Sequence, residues 1–75
     1  MDEYRAFLLN AGQAIKVERE NAGITQAQLA KSVGTSQNAV YCYESGRTCM
    51  SIWMLRNLCD ALGLSADEVL GLEEE

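Results

Sequence analysis

TQAQLAKSVGTSQNAVYCYESGR, residues 25–47, is the stretch whose reading decides the fold. Thr25-Gln26-Ala27-Gln28 has the form of a capping box: the threonine hydroxyl takes the amide three residues on, and the glutamine reaches back to the threonine amide. Leu29, Ala30 and Val33 follow at helical spacing as one apolar face, and Gly34 stands where a left-handed residue is cheapest. Thr35-Ser36 offers the next N-cap, Val40 and Tyr43 give a second short helix its inward stripe, and Gly46 stops it. A helix, a tight glycine turn and another helix therefore occupy about twenty residues. Ala30 is small where the two helices must cross closely, and Val40 locks the second onto the first.

Outward from this stretch the apolar spacing stays helical. Tyr4, Leu8, Ala11 and Ile15 step by three and four towards Ala22, which predicts a first helix from Glu3 to Asn21, ended by Gly23. Gly12 is its weak point, because glycine costs ~1 kcal/mol relative to alanine inside a helix. Downstream, Ser51 caps a fourth helix with Ile52, Leu55, Leu58, Cys59 and Leu62 as its core face and Gly63 at its end. Ser65-Ala66-Asp67-Glu68 is a second capping box and opens a short fifth helix carrying Val69 and Leu70. The expectation is one all-α domain of five short helices over residues 1–75, without internal repeats or linkers.

Composition narrows the function classes. A chain of 75 residues buries only about 60% of the surface its unfolded form exposes, so a large substrate-enclosing enzyme does not fit. Histidine is absent, which removes the commonest metal ligand and general base. No nucleophile–base or paired-carboxylate spacing replaces it, so no catalytic residue can be named and the chain reads as a non-enzyme. Cys42, Cys49 and Cys59 form an odd set without a C-x-x-C pair, which predicts reduced thiols rather than a zinc site or a disulfide framework. No metal or cofactor is implied. An acidic start and the absence of any apolar run near ~20 residues predict no signal peptide, no membrane span and a cytoplasmic protein. The net charge of −5 argues against nucleic acid only superficially, because Asp2, Glu3, Glu73, Glu74 and Glu75 hold five of the eleven acids. Between them six acids meet six bases, and the middle of the chain is neutral.

Residues 25–47, together with ALGLSADEVL at Ala61–Leu70, resemble the helix-turn-helix of the phage-repressor and Cro type, the XRE family. The resemblance covers roughly residues 12–71, leaving 1–11 as an N-terminal extension of the first helix and 72–75 as an acidic tail. It implies a compact lambda-repressor-like fold and a transcriptional regulator that binds double-stranded DNA, the third helix entering the major groove. By that resemblance Ser36, Gln37, Asn38, Tyr41 and Cys42 meet base edges. Gln37 and Asn38 lead, since each amide offers a donor beside an acceptor, matching adenine N6 and N7. Thr25, Gln26, Ser45, Arg47 and Thr48 meet phosphates, from the start of the second helix and from beyond the third. Lys16 and Lys31 add charge, although an exposed helical lysine is usually only solvated. Arg19 and Glu44 are expected to form a structural ion pair tying the first helix to the end of the third. Cys42, Cys49 and Met50 depart from the polar or basic residues that relatives place there.

Trp53 and Met54 fall off the inward stripe of the fourth helix. With Met50 they suggest a patch that a partner covers; the alternative is that Trp53 folds against Tyr4 and Phe7. Relatives bind two half-sites about 34 Å apart as two-fold dimers, so a homodimer through the fourth and fifth helices on a palindromic site is expected. The competing reading is an antitoxin-like or adaptor module that uses the same fold to hold a protein partner. Neutral or basic ground around Gln37 favours DNA, and acidic ground favours protein. Cys42 on the groove face and Cys49 in the following loop suggest a redox switch, weighed against plain reduced thiols, with Cys59 placed in the core. The terminal glutamates read as a solvated end whose charge repels a phosphate backbone.

Overall fold

A computed structural model describes residues 2–72 of the chain, and Met1 and the tail glutamates 73–75 lie outside the described residues. Five helices follow in order: α1 (Glu3–Asn21), α2 (Gln26–Val33), α3 (Gln37–Glu44), α4 (Ile52–Leu62) and α5 (Ala66–Leu70). Each begins on a side-chain oxygen that takes an otherwise orphaned amide. Asp2 accepts from the Arg5 amide at 2.7 Å, and Ser36, Ser51 and Ser65 accept from the amides of Ala39, Met54 and Glu68 at 3.0–3.1 Å. At Thr25 both halves of the capping box form, the threonine hydroxyl accepting from the Gln28 amide and the Gln28 side chain accepting from the Thr25 amide. Gly34 closes α2 with φ +74°, the left-handed turn that brings α3 back across α2.

The core draws one fully buried side chain from each of the first four helices: Ile15, Leu29, Val40 and Leu58. Each contributes about 1.5–3 kcal/mol by leaving water. Ala11, Ala30, Cys59 and Val69 complete the cluster, with Val69 bringing α5 onto it. α1 runs unbroken through Gly12, and the helical cost of that glycine is offset by what it permits. A Cβ at Gly12 would run into the Tyr43 carbonyl oxygen and lie 2.7 Å from that of Glu44, so α1 and the end of α3 approach as closely as they do because no side chain intervenes.

Five apolar placements differ from the sequence expectation. Ile52, assigned to the core face of α4, is 88% exposed, while Met54, assigned outward, packs partly buried against the core. At about 100° per residue Met54, Leu55, Leu58 and Leu62 fall within an arc of about 100°, whereas Ile52 sits about 120° round from Leu58. As the first residue of its helix, Ile52 also overhangs the core. Met50 is likewise half-buried against the core, so neither methionine belongs to an outward patch. Tyr4 and Ala22, at the two ends of the α1 stripe, are exposed because α1 outruns the helices it packs on.

Candidate nucleic-acid interface

Glu44 is a buried acid, and its carboxylate is fully engaged. Arg19 Nε donates to Oε2 at 2.7 Å, Arg19 NH2 donates to Oε1 at 3.1 Å, and Gln26 Nε2 donates to the same Oε1 at 3.0 Å. Arg19 NH1 donates to the Ile24 carbonyl at 2.8 Å. One cation thus ties α1, the α1–α2 turn and the end of α3, and Gln26 adds the first residue of α2. The hydrogen bond to Glu44 holds the Arg19 guanidinium protonated even beyond its ordinary range, against the opposing effect of burial. Among the described residues no buried side-chain nitrogen or oxygen lacks a partner, so the charge is buried without an unmet hydrogen bond.

This network sets the tilt of α3 on α2, and with it the face α3 turns to solvent. Val40 and Glu44 point inward, while Gln37, Asn38 and Tyr41 are exposed and Cys42 is half-buried. Arg47 lies over the Tyr41 ring at 5.6 Å, a cation–π contact that brings its charge back along α3. Gln26, Tyr41, Ser45 and Lys16 surround a small polar hollow whose floor is Glu44. Between residues 25 and 48 Glu44 is the one acid, and it is neutralised by Arg19, whereas Lys31 and Arg47 are free at the surface. The segment that carries Gln37 is therefore neutral to basic in its exposed charge.

The other sequence-predicted residues divide by what their polar atoms already do. Thr25, Thr48 and Ser36 are exposed, although the hydroxyl oxygens of Thr25 and Ser36 accept capping amides and keep only their protons to offer. The Ser45 hydroxyl donates to the Tyr41 carbonyl at 2.8 Å, which commits its proton. One amide hydrogen of Gln26 is spent on Glu44. Lys16, which sequence reasoning set aside as a solvated lysine, stands at the hollow with them; its position one turn before Arg19 on α1 carried that signal. Cys59 is buried, Cys42 half-buried and Cys49 exposed, and all three thiols are free.

Comparison with known proteins agrees with this geometry. A family model described as a helix-turn-helix domain matches residues 11–72. The restriction-modification controller protein C.AhdI from Aeromonas hydrophila is similar at 28% identity and a TM-score of 0.80, covering 85% of this chain and 97% of that one. The clp gene regulator ClgR from C. glutamicum is similar at 31% identity and a TM-score of 0.78, covering 85% of this chain and 83% of its own. The P22 c2 repressor, solved in complex with a synthetic operator, is similar at 33% identity and a TM-score of 0.79, covering 84% of this chain and 96% of its own. With its glycine turn, its capped α2 and α3 and the match over residues 11–72, the chain belongs to the helix-turn-helix domain family.

Proposed function

We propose that the protein is a sequence-specific transcriptional regulator that binds double-stranded DNA as a dimer on a palindromic site. The observation that carries this reading is the exposed Gln37–Asn38 pair at the start of α3, in a segment whose exposed charges are basic, with the far end of α3 held by the Arg19–Glu44–Gln26 network. Its likeness to a repressor solved on an operator supports the same reading. Gln37 and Asn38 read bases, with Ser36, Tyr41 and Cys42 along the same face. Thr25, Gln26, Ser45, Arg47 and Thr48 hold phosphates, joined by Lys16 at the hollow. Phosphate contacts position α3 without choosing a sequence, and the amides choose it.

Selection of bound fragments from genomic DNA by purified protein tests the reading, with Gln37→Ala/Asn38→Ala as the control. The expected result is an enriched palindrome that the double variant loses, each amide contributing about 1–3 kcal/mol of discrimination. Absence of enrichment at low salt from folded protein overturns the reading in favour of a protein-binding module. No described helix is long and apolar enough to cross a membrane.

A further inference from the structure

We propose that Tyr41 serves DNA binding as a positioning residue: its ring holds the Arg47 guanidinium at the edge of the α3 face as a preset contact for one backbone phosphate, and it does not read a base. The proposal rests on the DNA reading above and deepens it by giving one residue of the α3 face a different task. Tyr41 is 44% exposed, and Arg47 lies over its ring at 5.6 Å. The backbone that carries Arg47 is fixed before any DNA arrives. The Arg47 amide donates to the Cys42 carbonyl at 2.9 Å and the Gly46 amide donates to the Tyr43 carbonyl at 3.2 Å, the paired bonds of a Schellman motif closed by a left-handed glycine. Gly46 is buried against Leu9, whose side chain a Cβ at that position would meet at 2.9 Å, so the turn is seated on α1. What stays free is the Arg47 side chain, and the Tyr41 ring selects where it lies.

Chemistry decides what the held arginine can do. A cation–π contact draws on the charge of the guanidinium and leaves its N–H donors to meet phosphate oxygens, two at a time in the strongest arrangement. Among the described residues the Arg47 side chain makes no ion pair and no hydrogen bond. Glu44, the one acid between residues 25 and 48, is already met by Arg19 and Gln26. Arg47 therefore keeps both its charge and its donors for a partner outside the chain. An arginine loose in water gives up rotamers when it binds, whereas one resting on a ring has given them up beforehand. The same ring lines the polar hollow with Lys16, Gln26 and Ser45, so Tyr41 stands between two cations. Its hydroxyl makes no hydrogen bond among the described residues. A base contact by Tyr41 has to run through that hydroxyl, and the support of Arg47 runs through the ring, so removing the hydroxyl alone separates the two roles.

Proton NMR of the free protein, and binding to the selected palindrome over a salt series, test the assignment. In the free protein the ring current of Tyr41 is expected to move the Arg47 side-chain protons upfield. The shift should persist in Tyr41→Phe and vanish in Tyr41→Leu, and both variants should melt like the wild type because Tyr41 is exposed. On DNA, Tyr41→Phe should bind as tightly as the wild type, and Tyr41→Leu should lose about two- to five-fold in affinity. That loss should be equal on every variant of the site, with the selected sequence unchanged, because a phosphate contact carries no base information. Arg47→Gln should lower the slope of log affinity against log salt by about 0.9, and adding Tyr41→Leu to it should weaken binding no further. A Tyr41→Phe protein that changes the preferred base at any position, or that binds as weakly as Tyr41→Leu, overturns the proposal in favour of a base-reading hydroxyl. So do additive losses from the two substitutions, or Arg47 shifts that Tyr41→Leu leaves in place. Absence of any enriched fragment removes the DNA reading and this proposal with it, whereas an enriched palindrome on which phenylalanine fails to replace Tyr41 removes this proposal alone.

Discussion

At the α2–α3 end of the molecule the polar groups that leave water are spent on one another: Glu44 accepts three hydrogen bonds, Arg19 reaches Ile24 as well, and the side chains left outside are amides and cations. Around the first turns of α1 and α4, large apolar side chains stay in water instead, led by Ile52 and Trp53. Within residues 25–48 no acid is exposed; the exposed acids are Asp2, Glu3 and Glu20 on and before α1 and Asp60, Asp67 and Glu68 on α4 and α5. The contrast separates two uses of free energy. A buried ion pair adds little net stability but fixes orientation, because it tolerates only one arrangement of its partners. Apolar area left outside adds nothing to the fold and is available to association.

Truncating the network is where the two regions should differ most. Arg19→Ala leaves Glu44 buried without its cation and is expected to cost about 3–5 kcal/mol, a large share of a small domain's stability. Thermal unfolding followed by circular dichroism checks this. An unchanged melting curve would show that the network is no more structural than the exposed apolar region, where Ile52→Asp is expected to leave melting alone. Arg19→Lys should recover only part of the loss, since an ammonium cannot donate to both carboxylate oxygens in the guanidinium's planar geometry.

Next in size is Gly12→Ala, which pushes a methyl group into the Tyr43 and Glu44 carbonyls and forces α1 off α3, at about 1–3 kcal/mol. In the absence of the clash, alanine would stabilise the helix, so the sign of the change in chemical-denaturation midpoint decides between close approach and mere tolerance. The smallest effect lies at the acidic end. Burial, helped by Glu68 and Asp60, pushes the Cys59 thiol above its ordinary value. The folded state therefore keeps its proton where the unfolded chain has lost it, so this contribution is full below about pH 8.5 and falls as pH rises past it. Denaturation midpoints in alkaline buffer should drop more for the wild type than for Cys59→Ala. Equal slopes would show that burial does not hold the proton on Cys59.

Helix positions were legible from the chain alone because each start is written locally: Thr25, Ser36, Ser51 and Ser65 act on amides three residues away. The Arg19–Glu44 pair spans 25 residues and was visible only through family resemblance, since no local spacing points from one to the other. Exchanging Ile52 for Met54 on the inner face of α4 had a different origin. Both fit a step of three or four from a core leucine, and periodicity at a helix end does not say how far the neighbouring helices extend. Gly12 was read as a defect because its cost is local and its benefit lies on α3.

Sequence by itself determined the five helices, their caps, the glycine turn and the exposed amides of α3, because capping and amphipathic spacing act within a few residues. Tertiary structure alone decided that Gln26 joins Arg19 on Glu44, that Gly12 admits the end of α3, and that Phe7, Leu8 and Val69 meet beside an exposed Ile52. Those relations join residues far apart in the chain, and they exist only once the helices have packed and their crossing angles have settled which side chains share a surface.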